Sequence, residues 1–199
     1  MIVLITGPSG AGKSSFIADL IAGDRRLAFS VSTTTRPRRT GEINGTDYDF
    51  VDDATFDGLI ADSAFVEWAR VHGNRYGTRR DQLKEMTAAG KIPVLDIDVQ
   101  GGVQVLDQFG PELVSVFLFP PSWEELERRL ASRGTDRPDV IATRLRNARR
   151  EVQYAPRYSY WIVNDELKAA VARMRAIITA EECRSDILVT PPLESDQPE

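Results

Sequence analysis

The chain has 199 residues, 42% of them hydrophobic, and a net charge of −5. That is room for one domain, or one core with small insertions, and the acidic balance argues against a general nucleic-acid binder, which needs a basic face against the phosphates. A single cysteine, Cys183, excludes an intramolecular disulfide, a single histidine, His72, makes a transition-metal site unexpected, and no apolar run approaches the ~18–20 residues of a membrane span.

Ile2 to Thr6 is an apolar run that reads as a buried first strand, too short and too little flanked by basic residues for a secretory leader. A reducing, cytoplasmic setting is expected. Gly7 to Gly12 is a glycine-rich turn, and Lys13 to about Ala22 has helical spacing, with Phe16, Ile17, Leu20 and Ile21 on one side. Leu27 to Val31 reads as a strand, Ser32 to Asp47 as a polar loop, Tyr48 to Val51 as a short strand and Ala54 to Ala61 as a helix. Phe65 to Val71 alternates, turns at Gly73-Asn74 and returns over Arg75 to Gly77, a hairpin. Helices are expected over Leu83–Ala89 and Gly102–Phe109, and buried strands over Ile92–Ile97 and Leu113–Phe119. Ser122 with Glu125 makes a capping box for the next helix. A polar break over Arg133–Pro138 precedes a basic helix, Val140–Tyr154, then a last strand, Tyr160–Val163, and a closing helix from Glu166 to about Cys183. Strands alternating with helices predict an α/β doubly wound fold with a parallel sheet, interrupted between Ser32 and Gly77 by an inserted subdomain.

Gly7-Pro8-Ser9-Gly10-Ala11-Gly12-Lys13-Ser14 fits G-x-x-x-x-G-K-[ST] between a strand and a helix, the context that gives this motif its meaning. Glycines let successive N–H groups point at one anion, and the helix N-terminus adds partial positive charge. Lys13 is a point charge for the β- and γ-phosphates, and the Ser14 hydroxyl, with Ser15 beside it, sits where Mg²⁺ of a bound ATP is held. Asp96 and Asp98 flank Ile97 at the end of a strand. They either serve Mg²⁺ and a second substrate or cap the turn that follows.

Arg36, Arg38 and Arg39 crowd a proline-constrained loop, a compact cationic site for phosphate oxygens. Tyr48 and Tyr76 can add phenolic donors, and Glu42 can orient an arginine. Glu67 lies among Phe65, Val66 and Trp68, and a carboxylate in apolar company needs a partner. Guanine offers one, because its N1–H and N2–H₂ are adjacent donors. Ser32 and Thr78 can then donate to O6, and Asp98 can take the other N2 proton. Adenine lacks the N2 amine, so such a site rejects it. Strict alternation gives a second possibility, with Glu67 outward and Val66 and Trp68 sharing the buried face.

In this order and spacing, the phosphate loop, S-T-T-T-R-x-x-R-x-G-E, N-G-x-D-Y, F-x-E-W, G-N-x-Y-G-T, L-D-I-D-x-Q-G, R-G-T and V-N-D resemble guanylate kinases from about Ile2 to about Glu182. The resemblance implies transfer of the γ-phosphoryl of ATP to GMP, with Mg²⁺. It implies a P-loop core (1–31, 79–128 and 145–184), a GMP-binding insert (about 32–78) and a small helical lid (about 129–144); beyond it, the polar, proline-containing end from Pro191 to Glu199 makes 185–199 an expected flexible tail. It also implies residue roles. Gly7 to Ser15 and Asn164 bind ATP, while Ser14 and Asp96 serve the metal. Ser32, Arg36, Arg39, Glu42, Tyr48, Glu67, Tyr76, Thr78 and Asp98 bind GMP. Lys13, Arg36, Arg129, Arg133 and Arg144 are catalytic, the last three as lid arginines over the transferred phosphoryl. Two departures, Arg38 before Arg39 and Arg75 where the family often has tyrosine, are expected to add charge near the acceptor phosphate.

Other readings stay open on the sequence. A kinase of similar build with AMP, UMP or a sugar phosphate as acceptor would have no need of Glu67, Thr78 and Asp98. A non-catalytic guanylate-kinase-like binding module usually lacks an intact phosphate loop. A regulatory GTPase would carry N-K-x-D, which is missing here. The expected partners are ATP and GMP, without nucleic acid or membrane, in a monomer or a homo-oligomer.

Overall fold

The computed structural model describes residues 1–71, 73–110, 112–132 and 138–184. His72, Arg133 and the expected tail lie outside the described residues. In chain order the elements are β1 (Ile2–Thr6), α1 (Lys13–Ala22), β2 (Leu27–Phe29), β3 (Thr33–Thr34), β4 (Asp49–Phe50), α2 (Asp53–Ala61), β5 (Phe65–Val71), β6 (Asn74–Arg79), α3 (Arg80–Ala88), β7 (Ile92–Asp96), α4 (Val99–Gln108), β8 (Leu113–Phe119), α5 (Trp123–Ala131), α6 (Pro138–Val152), β9 (Tyr160–Val163) and α7 (Leu167–Glu182).

Five strands form one parallel sheet in the order β2-β7-β1-β8-β9. β1 is buried along its whole length because both faces are covered. Val3 and Ile5 join Phe16, Leu20, Met174 and Ile178 under α1 and α7. Ile2 and Leu4 join Leu95, Phe117, Val105 and Tyr158 on the α4 side. β1 stands between β7 and β8, so the turn that leaves it opens at a switch point of the sheet, where such folds bind ligands.

The insert carries a second sheet, β4-β3-β6-β5. Part of the expected Ser32–Asp47 loop is strand here, since Thr33 and Thr34 pair with both β4 and β6. α2 presses Phe56 against this sheet, with its ring 4.6 Å from Phe65 and 6.3 Å from Trp68. Strict alternation fails along β5. The register shifts between Phe65 and Glu67, a β-bulge. After it, Trp68 faces α2 and is partly exposed, while Val66, Glu67 and Ala69 are buried. Of the two possibilities, the one with Glu67 outward and Val66 and Trp68 sharing the buried face is therefore ruled out by one extra residue in the strand.

Ser122 caps α5 by accepting from Glu125 N at 3.2 Å, but the reciprocal half of the capping box is replaced. The Glu125 carboxylate accepts from Arg128 and Arg129 at 2.7 Å, ion pairs that hold its carboxyl down at about 2. Leu126 and Leu130 of α5 and Ala148 of α6 form a small core of their own, which sets α6 beside the phosphate loop.

Candidate active site

The phosphate loop is shaped by local rules. Gly10 and Gly12 have φ of 93° and 90°, left-handed conformations that penalise a Cβ. Space makes the same demand, because a Cβ on Gly10 would come within 2.8 Å of Leu126 Cδ1 and one on Gly12 within 2.5 Å of Asn164 Nδ2. Lys13 opens α1 and turns back over the loop, Nζ donating to Gly7 O at 2.6 Å. Ser14 and Ser15 are exposed on the same first turn.

Two residues expected near ATP are braces in this arrangement. Asn164 is buried and its amide donates to Ala11 O at 2.9 Å. Arg129 donates to Ala11 O at 3.3 Å, to Asn164 O at 3.1 Å and to Glu125 at 2.7 Å. Neither lines the cleft. Arg144 does, and it donates to Ser9 Oγ at 2.6 Å, so α6 touches the loop directly.

The cleft has a volume of about 920 Å³ and runs from Gly7, Ser9 and Lys13 to Glu67 and Tyr154. Ser32, Tyr48, Tyr76, Asp96 and Asp98 also line it. Asp96 ends β7 beside β1. Burial pushes its carboxyl above the ordinary range, against the pull of Lys13. Asp98 both lines the cleft and caps α4, accepting from Gly101 N at 2.9 Å. Capping of the turn, one of the two possibilities offered by the sequence, is therefore what Asp98 does, from a position that also lines the cleft.

Arg36 stands behind the tyrosines. Its guanidinium lies 5.1 Å from the Tyr48 ring centre and donates to both Glu42 oxygens at 2.7 and 3.1 Å. Glu42 also accepts from Arg39 N at 2.7 Å, and the Arg36 pairing holds its carboxyl below the ordinary range. The Arg39 side chain is exposed. Tyr48 and Tyr76 meet edge to face at 5.8 Å.

Glu67 is only 4% exposed. Thr78 donates its hydroxyl to Glu67 Oε1 at 2.7 Å, so Thr78 orients the carboxylate and is itself out of the cleft. Burial pushes the Glu67 carboxyl up to about 7; the Thr78 hydrogen bond opposes this and the nearby charge of Asp98 adds to it.

Arg75 corrects an expectation. It adds no charge to the acceptor end, because alternation along β6 turns it away from Tyr76 and toward α2. It is buried there, 4.7 Å from the Phe56 ring centre, paired with Asp57 and with Asp53 at 2.5 Å. The sequence reading missed the far wall of the cleft, made by Asn147, Arg150, Glu151 and Tyr154. Their i, i+3, i+4, i+7 spacing marks one helix face, but only the packing of α5 on α6 says that this face meets the cleft.

The guanylate kinase family model matches residues 1–181. A guanylate kinase of Syntrophotalea carbinolica is 49% identical over 185 residues, covering 93% of this chain and 88% of the relative. One of Sphingopyxis alaskensis is 45% identical over 184 residues, 92% of this chain and 84% of that one. The crystal structure of guanylate kinase from Anaplasma phagocytophilum superposes with a TM-score of 0.78 at 32% identity, covering 98% of this chain and 92% of that chain. With a family model and relatives matching along nearly its whole length, this chain belongs to the guanylate kinase family.

Proposed function

We propose that the cleft binds ATP over the phosphate loop and GMP against the insert, with Glu67 and Asp98 reading guanine. As a guanylate kinase the chain is an ATP:GMP phosphotransferase, giving ADP and GDP. The observation that carries the residue assignment is the Glu67 carboxylate, nearly inaccessible, held by Thr78 and lining the same cleft as the phosphate-loop lysine. Bound guanine N1–H and N2–H₂ would supply donors to this buried carboxylate in addition to the Thr78 hydroxyl.

Transfer then needs alignment and charge neutralisation more than covalent help. A GMP phosphate oxygen, already ionised, attacks the γ-phosphorus in line, so no general base is required. Lys13 leaves the Gly7 carbonyl for the β- and γ-phosphates, and Arg144 moves from Ser9 to the transferring group. Arg36, oriented by Glu42, holds the acceptor phosphate with Tyr48, Tyr76 and Arg39. Arg129 and Asn164 keep the loop in shape from behind, and α6 serves as the lid that excludes water.

Mg²⁺ fits the residues present. Ser14 and Asp96 are hard oxygen donors near Lys13, and among the described residues no cluster of three or more His, Cys, Asp or Glu forms a metal cage. Such a pair suits an ion completed by water and nucleotide phosphates. When bound, Mg²⁺ neutralises phosphate charge and fixes the donor's geometry. A cytoplasmic setting fits an exposed, unpaired Cys183. Among the described residues no helix is long and apolar enough to cross a membrane.

The test is ATP- and Mg²⁺-dependent ADP release with GMP, dGMP, AMP, UMP and CMP offered separately. Strong turnover with GMP and little with AMP is expected. Equal turnover with AMP would remove the base-reading role of the insert.

A further inference from the structure

We propose that Gly101 is a specificity-determining position, its missing side chain being the space that holds the Glu67 carboxylate in place to read guanine. The inference rests on the assignment of Glu67 to guanine. Gly101 is the third residue of α4 and is absent from the positive-φ residues, so its backbone does not call for glycine. Glycine inside a helix instead weakens it relative to alanine. The reason for glycine is therefore outside the helix. A Cβ there would overlap Glu67 Oε2, lie 3.0 Å from Glu67 Cδ and come within 2.5 Å of Ile97 Cγ2.

Glu67 has little room to retreat. Its other oxygen, Oε1, accepts from Thr78 at 2.7 Å, so moving away from α4 strains or breaks that bond. The residue is buried, and the open direction is the cleft itself, where the base would sit. The first turn of α4 thus contributes twice: Asp98 supplies a carboxylate, and Gly101, whose N–H that carboxylate accepts, leaves room for Glu67. The neighbouring Gly102 faces elsewhere, since a Cβ on it would meet the Tyr158 hydroxyl and, at 3.0 Å, Thr6 Oγ1.

The test is steady-state kinetics on the full chain. Gly101→Ala is expected to raise KM for GMP about tenfold or more while KM for ATP stays within about twofold. In a Glu67→Asp background, where the carboxylate is shorter by one methylene, adding Gly101→Ala is expected to change KM for GMP by less than about twofold. An unchanged KM for GMP in Gly101→Ala, or the same penalty in both backgrounds, overturns the proposal; the second result would assign the collision to Ile97. Should Gly101→Ala fail to fold, Gly101→Ala with Glu67→Ala decides: recovery of folding supports the proposal and continued failure overturns it. Glu67→Gln is run alongside. If it keeps parental discrimination between GMP and AMP, the guanine reading of Glu67 falls, a result separate from any outcome at position 101.

Discussion

The two ends of the cleft solve the problem of holding a phosphorylated ligand in opposite ways. The donor end is a backbone loop held by side chains. Lys13 lies on the Gly7 carbonyl, and Asn164 and Arg129 both hold Ala11 O, so the Gly7 and Ala11 carbonyls of the loop are engaged within the protein. The acceptor end is built from side chains on a small sheet. It keeps a buried carboxylate at Glu67 whose environment disfavours its charge. On the assignment proposed above, the donor end serves any triphosphate, whereas selectivity rests on the buried carboxylate of the acceptor end.

Substitutions can break this contrast, and the largest effect belongs to the donor end. Lys13→Ala is expected to lower turnover about 10³-fold with little change in thermal stability. Normal turnover in the folded variant would remove Lys13 from the reaction. At the acceptor end, Glu67→Gln should lower kcat/KM for GMP about 10²-fold and leave ATP binding intact.

Glu67 also gives the contrast a pH signature. Its carboxyl stands at about 7 in the fold against an ordinary 4.5. The folded state therefore binds the extra proton between those values, and its contribution to stability falls as pH rises through that window, by roughly 2–4 kcal/mol in total. Replacement by glutamine should flatten that dependence and make the ligand-free protein more stable near pH 8. In the parent, KM for GMP should rise about tenfold per unit as pH falls below about 7, because the protonated acid cannot accept both guanine donors. Thermal melts and KM measured across pH 5 to 8 check both signs, and a flat profile in the parent would contradict the burial argument.

The smallest expected effect sharpens the contrast within the insert. Arg75→Ala should lower stability by about 1–2 kcal/mol through lost contact with Phe56, since its Asp53 and Asp57 partners are largely exposed. KM for GMP should change by less than about threefold. A large KM effect without loss of stability would return Arg75 to the acceptor phosphate.

Much of the fold was legible in the residues because its signals are local. β1, α1, β5, β8 and β9 fall where apolar runs and helical spacing put them. Short strands were harder. Thr33 and Thr34 carry no pattern of their own and become strand because Tyr76 and Gly77 lie across from them. α3 and α4 begin three residues earlier than expected, α4 because Asp98 caps it. At the site, residue types pointed to the phosphate loop and the arginine loop. What each side chain faces depended on neighbours far along the chain. A one-residue bulge decided that Glu67 turns inward, and α2 decided that Arg75 turns away.

By itself, then, the sequence determined the phosphate loop, the alternating α/β order and the polar residue types proposed to read a guanine nucleotide. Those follow from backbone conformation, periodicity and hydrogen-bonding chemistry, which act over a few residues. The tertiary structure alone decided that Arg129 and Asn164 brace the loop, that Thr78 holds Glu67, and that α6 forms the far wall. These depend on packing between segments 11 to 153 residues apart, which a pattern along the chain does not encode.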